Sequence, residues 1–422
     1  MCLRRSALAI AIFIIIIGVE MASTSTSWHT EAVGFLTLEA TFTEVANGWE
    51  KVERLKDNNP NFPVEDYLLD GRGDQDGQRL TFFADKRPHS SRFLLYYAAN
   101  SKTNLKPYPV LLVHGANDNV DRAWANPNEY GFCGAPSCPK TGLMQLLTEQ
   151  GYRVFAINFP HKQGDNYLWA QQIHAAIARI KGITGAAYVD VIAWSKGAFA
   201  THMYVSNVKP SWGASYRGDI RKLILLGSPN LGIDYTFRHG AIFNSIIFPN
   251  CGGLIKVNGP SPHTAMLCQD KWQTFSEYSI YTTASGNFFP GQKQMLRRWD
   301  KIYSLPQNEL DWQTTYYGGK GEQTEGLGID AAIAQGELVS QIRRAGIPAS
   351  ITVYLLAGKA ATIPFFHNEH TGPSDGLVFI DSATNTDGIG KVAAVTVIED
   401  ANHLQLAWHS RALSQINEWL EK

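Results

Sequence analysis

The clearest pattern along the chain is an alternation of short apolar runs with amphipathic segments, beginning at Pro107. The run PVLLVHG at 109–115 is apolar up to its last two residues, as expected for a strand buried on both faces of a parallel sheet. Further strands are predicted at 152–158, 188–193, 222–226, 350–356 and 392–398. Helices are predicted at 143–149, from Lys196 onward, at 405–421, and between 152–158 and 188–193, where Trp169, Ile173, Ile177 and Ile180 share one face. Strands that alternate with helices indicate an α/β fold with a mostly parallel central sheet.

Two regions fall outside this alternation. Residues 32–99 are predicted to be strands, interrupted by the turn-rich segment GRGDQDGQ at 71–78. Residues 232–330 show no βα rhythm and hold 15 aromatic residues in 99. The simplest interpretation is one α/β domain, 23–422, with an inserted cap or lid at about 232–345; the alternative is a structural extension.

Composition narrows the function classes. Hydrophobic residues make up 44% of the chain and charged residues 18%, as in an ordinary globular protein. The formal net charge is -1, with no basic stripe, so a nucleic-acid partner is not expected. Nothing in the sequence sets an oligomeric state.

The first residues have the pattern of an export signal. Arg4 and Arg5 precede an apolar run from Ala7 to Val19, which is shorter than a membrane span, and small polar residues follow. We therefore expect a secretory signal peptide at about 1–22 and a secreted enzyme. The alternative is an uncleaved signal that serves as a short membrane anchor.

Four cysteines follow the predicted signal: Cys133, Cys138, Cys251 and Cys268. An even count in an exported chain favours disulfides, and the pairs 133–138 and 251–268 close the shortest loops. A four-cysteine zinc site is the competing interpretation. It is disfavoured because a spacing of five is wide for a zinc knuckle.

The strongest chemical signal is AWSKG at 193–197, between a predicted strand and a predicted helix. A serine hydroxyl is a poor nucleophile, so it needs exposure at a sharp turn and a neighbouring base. His114-Gly115 closes a buried strand about 80 residues earlier. We expect the backbone amides of Ala116 and Lys196 to form an oxyanion hole, and the His114 side chain to be structural.

These segments and two others resemble bacterial secreted lipases and esterases of the α/β-hydrolase fold. The resemblance implies Ser195 as nucleophile, Asp375 as acid and His403 as base, in that chain order, with no cofactor. It rests on four short motifs: VHG at 113–115, AWSKG at 193–197, SDGLV at 374–378 and NHL at 402–404.

The sequence departs from the family pattern in several places. Ala193 replaces the usual first glycine, and Lys196 brings a long cation close to the expected oxyanion hole. The acid-to-base spacing, 403 − 375 = 28, is longer than expected, so Asp381 remains a rival acid. Gln405 stands where calcium-dependent relatives place a carboxylate, and no metal is therefore predicted.

Other histidines are weaker candidates for the base than His403. HNEH at 367–370 has a zinc-like spacing but no evident third ligand, so a polar loop is favoured. His409 is expected on the last helix and is a weaker base candidate than His403, which follows a strand.

The sequence thus predicts a carboxylic-ester hydrolase acting on acylglycerols or other apolar esters, in part at a lipid interface. Two alternatives remain open at this point. The same three residues would serve a secreted polyhydroxyalkanoate depolymerase, and an α/β-hydrolase fold can also serve a catalytically silent binding protein.

Overall fold

The structure, a computed structural model, covers most of the chain from Leu36 onward. It describes residues 36–67, 73–100, 103–239, 289–309, 312–320, 325–326, 328–364, 366 and 368–422. The predicted signal peptide, both Cys251 and Cys268, and a large part of the predicted insertion lie outside these residues. Within them, no helix is long and apolar enough to cross a membrane.

A nine-stranded sheet forms the centre of the described chain. In chain order, the eleven strands of the described residues, nine of which form this sheet, are β1 (Leu36–Phe42), β2 (Trp49–Asp57), β3 (Arg92–Ala98), β4 (Val110–Val113), β5 (Val154–Asn158), β6 (Val189–Trp194), β7 (Ile220–Leu226), β8 (Gly319–Lys320), β9 (Glu325–Gly326), β10 (Thr352–Gly358) and β11 (Val392–Ile398). The strand order in the sheet is β1-β2-β3-β5-β4-β6-β7-β10-β11, and β8 pairs with β9 separately. Within this sheet, β5, β4, β6, β7, β10 and β11 pair parallel with one another, whereas the pairs β1-β2, β2-β3 and β3-β5 at the other edge are antiparallel. The predicted α/β class with a mostly parallel sheet is therefore confirmed.

Helices connect these strands. They are α1 (Gly77–Phe83), α2 (Leu143–Glu149), α3 (Asn166–Thr184), α4 (Lys196–Val205), α5 (Tyr235–Arg238), α6 (Pro290–Gln294), α7 (Trp312–Tyr317), α8 (Gly328–Ala334), α9 (Val339–Ala345), α10 (Ile380–Ala383) and α11 (Ser410–Glu421). Single turns of 3-10 or π type occur at Asp121–Ala125, Glu129–Gly131 and Gln405–Ala407.

The longest helix, α3, begins and ends where its sequence specifies. The Asp165 carboxylate accepts a hydrogen bond of 2.7 Å from the backbone N–H of Tyr167, which satisfies one of the free amides of the first turn. Gly185 ends the helix in the left-handed conformation, φ +69°. The predicted apolar face of α3 is buried against the sheet.

The two faces of the sheet bury separate apolar cores, because alternate strand residues point to opposite sides. On β3, Leu94 and Tyr96 enter one core, which α2 and α11 cover. Phe93 and Leu95 enter the other, which α3 and α4 cover. Both faces of the central strands β4, β5 and β6 are therefore buried, and the loops at the strand ends are left to form a site.

Two expectations about secondary structure were wrong. Residues 32–99 were expected to be strands interrupted by a turn-rich segment at 71–78, but Gly77–Phe83 forms α1, which buries Arg79, Phe82 and Phe83 at helical spacing. The last predicted helix, 405–421, is divided into the turn Gln405–Ala407 and α11. His409 precedes α11 in an extended conformation and does not lie within the helix.

We predict that Trp419→Ala lowers the free energy of unfolding by about 3–5 kcal/mol, because a large cavity would remain. The Trp419 side chain is 1% exposed and stacks on Tyr354 at a centroid distance of 5.0 Å. Urea denaturation measures the loss. Ile183→Ala is the control, since Ile183 is 42% exposed and should change stability by less than about 0.5 kcal/mol. Equal losses in the two variants would contradict this packing.

Candidate active site

Ser195 lies on a sharp turn between β6 and α4. Its backbone has φ 56° and ψ -126°, a conformation that costs a non-glycine residue about 1–3 kcal/mol. The Ser195 N–H donates to the carbonyl of Leu226 at 2.8 Å, which ties the turn to the next strand. Gly197 permits the turn, because a Cβ there would overlap the His114 carbonyl oxygen. The half-buried serine hydroxyl is thus held at the carboxyl end of the sheet.

A continuous chain of hydrogen bonds begins at this hydroxyl. Ser195 Oγ lies 2.9 Å from His403 Nε2, and His403 Nδ1 lies 2.7 Å from Asp375 Oδ2. A carboxylate accepts hydrogen bonds, so Nδ1 carries the proton and Nε2 is left to accept from the serine. Asp375 is completely buried and His403 is 3% exposed. The structure therefore brings together the three side chains expected from the motifs.

Backbone amides hold the Asp375 carboxylate. Its Oδ1 accepts from the N–H groups of Leu377 at 3.1 Å and Val378 at 2.8 Å, and its backbone carbonyl accepts from the N–H of His403 at 2.8 Å. Gly376 makes the tight turn possible with φ +97°.

The rival acid lies elsewhere. Asp381 is exposed, and its carboxylate accepts a hydrogen bond of 2.7 Å from the Tyr303 hydroxyl. Asp375, and not Asp381, is the carboxylate in contact with His403.

Two residues that were not assigned roles from the sequence fix the position of His403. The Trp194 indole N–H donates to the His403 carbonyl at 3.1 Å, and its ring lies 5.7 Å from the imidazole, centroid to centroid. Gly227 leaves room for the imidazole, since a Cβ there would lie 3.0 Å from its Cε1 and Nδ1 atoms. Trp194 belongs to the AWSKG motif, but its contact with His403 spans 209 residues of sequence.

The loop after β4 lies against the serine, as the oxyanion-hole prediction requires. A Cβ on Gly115 would lie 2.9 Å from Ser195 Cβ, so this backbone approaches closely. Neither the half-buried Ala116 nor Lys196 donates its amide to another described residue, which leaves both amides for a ligand.

The His114 side chain is structural. It is fully buried, with Nδ1 2.8 Å from the Gly115 carbonyl, and Nε2 accepts from the Phe159 N–H at 3.4 Å. Burial lowers the pKa of His114 to about 4, so the ring is neutral at ordinary pH.

The Lys196 side chain is packed behind the serine turn. Its terminal nitrogen lies 3.0 Å from the centroid of the Trp169 ring, and the residue is 0% exposed to solvent. Burial holds the pKa of Lys196 well below its usual range, and burial raises the pKa of the nearby Glu65 carboxyl to about 8. Gly291 of α6 must lack a side chain here, because a Cβ would overlap the end of the lysine. Lys196 thus links the serine turn to the described part of the predicted insertion.

A second contact links that insertion to the acid loop. Arg238, fully buried, forms ion pairs with Asp234 at 2.8 Å and with Glu369 at 2.9 Å. The Glu369 N–H donates to the Gly376 carbonyl at 2.8 Å, beside Asp375. Glu369 belongs to the HNEH segment, of which His367 lies outside the described residues. Within the described chain, no group of three or more metal-binding side chains occurs.

We predict that Gly197→Ala slows the reaction of Ser195 with a fluorophosphonate probe by about 100-fold, because the added methyl displaces the loop that lies against the serine. Gly182→Ala is the matched control, since Gly182 lies within α3 and a Cβ there meets nothing within 4 Å. The control should keep the labelling rate and gain up to about 1 kcal/mol of stability. Equal labelling rates in the two variants would contradict the geometry of the turn.

Comparison with known proteins gives weak likeness to several esterases. No family model and no curated protein matches the chain. The mature lipase BlEst2 of Bacillus licheniformis is 14% identical, with 74% of this chain and 92% of that chain covered and a TM-score of 0.39. Esterase RhEst1 of Rhodococcus sp. ECU1013 is 13% identical, with 78% of this chain and 95% of that chain covered and a TM-score of 0.39. A thermostable carboxyl esterase of Bacillus coagulans is 14% identical, with 78% of this chain and 92% of that chain covered and a TM-score of 0.35. With identities this low, the fold is assigned from the chain's own features. These features are those of the α/β-hydrolase fold: the sheet is mostly parallel, and a serine lies at the turn between β6 and α4. An aspartate and a histidine follow this serine in the chain and are hydrogen-bonded in line with it.

Proposed function

We propose that this protein is a serine hydrolase of carboxylic esters that acts through an acyl-enzyme intermediate. The observation that carries the proposal is the unbroken hydrogen-bond chain from Ser195 through His403 to the buried Asp375. A serine held at a strained turn, with a correctly oriented imidazole, is an activated nucleophile. A catalytically silent binding protein has no need for this arrangement.

The mechanism follows from the geometry of these groups. Ser195 Oγ attacks the ester carbonyl carbon while His403 Nε2 takes the serine proton, and Asp375 stabilises the resulting imidazolium. The amides of Ala116 and Lys196 stabilise the negative charge on the carbonyl oxygen. His403 then protonates the leaving alcohol and, in the second half of the reaction, removes a proton from the water that releases the acid.

We infer that the substrate is an apolar ester. The apolar residues Trp194 and Leu404 are the chain neighbours of Ser195 and His403, and with Trp408 they line a small cavity that Asp118 and Arg122 also reach. The aromatic-rich segment 232–330 favours the same substrate class. A lipase or esterase acting on acyl chains of medium length or longer fits both features, with the predicted cap at 232–345 controlling access.

We also infer that the protein works after export. The apolar run after Arg4 and Arg5 has the pattern of a signal peptide. The disulfide between Cys133 and Cys138 supports this inference, because such bonds persist mainly in oxidising compartments.

We predict that Asp375→Asn lowers kcat for p-nitrophenyl butyrate by about 10⁴-fold, since the amide no longer holds the required tautomer of His403. Ser195→Ala should lose about 10⁶-fold, because the nucleophile is removed. Asp381→Asn is the control and should retain nearly full activity, since Asp381 contacts Tyr303 and not His403. If Asp381→Asn proves the more damaged variant, the acid is assigned wrongly; substantial hydrolysis by Ser195→Ala would refute the proposed function itself.

We predict that kcat/KM rises or stays level from acetate to octanoate esters, because each buried methylene contributes about 0.8 kcal/mol to binding. A series of soluble p-nitrophenyl esters below their micellar concentrations measures this dependence. A steep fall with chain length would indicate a site for small esters and would remove the preference for apolar substrates, while leaving ester hydrolysis intact.

A further inference from the structure

A six-residue turn closed by the Cys133–Cys138 disulfide packs against the segment that carries His403. We propose that Asn402 is a positioning residue for His403, and that this disulfide-closed turn is the fixed point on which Asn402 depends. The proposal rests on the proposed function, because it concerns the base of that reaction. The predicted pair 133–138 is confirmed as a disulfide, whereas its contact with the site had no signal in the sequence.

The side chain of Asn402 joins three parts of the chain. Its amide nitrogen donates to the Gly134 carbonyl at 2.7 Å, inside the disulfide ring, and to the Thr362 carbonyl at 2.9 Å. Both N–H groups of the amide are therefore used, and the residue is only 2% exposed. Because His403 is the next residue, these two bonds hold its backbone from the N-terminal side.

A second bond holds the other end of the same segment. The Trp408 indole N–H donates to the Cys133 carbonyl at 3.1 Å. The adjacent carbonyls of Cys133 and Gly134 thus accept hydrogen bonds from Trp408 and Asn402, which lie on either side of His403 in the chain. Leu404 also presses on the turn, since a Cβ on Gly134 would lie 2.9 Å from Leu404 Cβ and 2.8 Å from Asn402 Oδ1.

The disulfide fixes the direction of these two carbonyls. Without it, residues 133–138 regain backbone freedom, and ordering them again costs conformational entropy. Pro136 and Ser137 are exposed and Cys138 is half-buried, so a reductant in solution reaches the turn. A loosened turn would leave Asn402 without a fixed acceptor and widen the range of His403 positions relative to Ser195.

The expected consequence is a loss in kcat with little change in KM, because neither the turn nor Asn402 lies in the hydrogen-bond chain that reacts. A displacement of a catalytic group by a fraction of an ångström to 1 Å lowers rates by about 10- to 100-fold. For p-nitrophenyl acetate, whose short acyl group does not extend along Leu404 and Trp408, KM should stay within about twofold.

The test compares Cys133→Ala/Cys138→Ala, Asn402→Ala and the combined variant in kcat and KM. Each of the first two should lose about tenfold in kcat, and the combined variant should lose little more, because both changes break one linkage. Asn104→Ala is the matched control. Asn104 also donates to two backbone carbonyls, of Thr148 at 3.1 Å and Tyr152 at 2.8 Å, but these belong to α2 and the residues after it.

A measurement independent of turnover accompanies the kinetics. Deuterium uptake by peptides covering 402–408 should rise in the disulfide variant, and equally on reduction of a Cys251→Ser/Cys268→Ser protein, in which only this pair is reducible. The reduction arm also serves if the alanine variant does not fold. Unchanged uptake together with unchanged kcat would overturn the proposal, as would losses that multiply in the combined variant. If the oxidised protein hydrolyses no ester, the proposed function fails, and deuterium uptake alone then decides whether the turn anchors this segment.

Discussion

A carboxylate completely removed from solvent lies at the centre of this structure, and the surrounding loops are arranged to satisfy it. A buried charge without hydrogen-bond partners is strongly unfavourable. The Asp375 side chain meets this requirement through the N–H groups of Leu377 and Val378 and through the imidazole of His403. The left-handed turn at Gly376 aims the two amides, and the imidazole takes the remaining oxygen. The direction in which His403 faces Ser195 is therefore a consequence of where Asp375 is buried.

The parallel sheet makes this meeting possible. β6, β7, β10 and β11 are neighbours, so their carboxyl ends deliver the serine, acid and histidine loops to one edge of the sheet. Small residues allow the final approach. A Cβ on Gly227 would press on the imidazole, and a Cβ on Gly358 would lie 3.2 Å from Asp375 Cβ. Strain at Ser195 is tolerated because β7 on one side and His114 on the other hold the turn.

Local sequence patterns predict the parallel strands of the sheet well, and long-range contacts poorly. Apolar runs located the parallel strands, since strands buried on both faces need little else. α1 was missed because glycines and aspartates at 71–77 suggested a turn. The helix has only seven residues, so the helical spacing of Arg79, Phe82 and Phe83 does not repeat often enough to be recognised. The acid could not be chosen from spacing, since only the folded chain brings Asp375 to His403. The bond between Asn402 and Gly134 spans 268 residues, and the buried pair of Arg238 and Glu369 likewise depends on packing that no local pattern encodes.

The central claim is that Ser195 is a nucleophile activated by His403. Intact-mass and peptide analysis after treatment with a fluorophosphonate tests it most directly, with residual esterase activity followed in the same samples. The account predicts one adduct per chain, on the peptide that contains Ser195, and loss of activity in proportion to labelling. Full esterase activity in a protein whose Ser195 is completely modified, or an adduct at another serine, would contradict it.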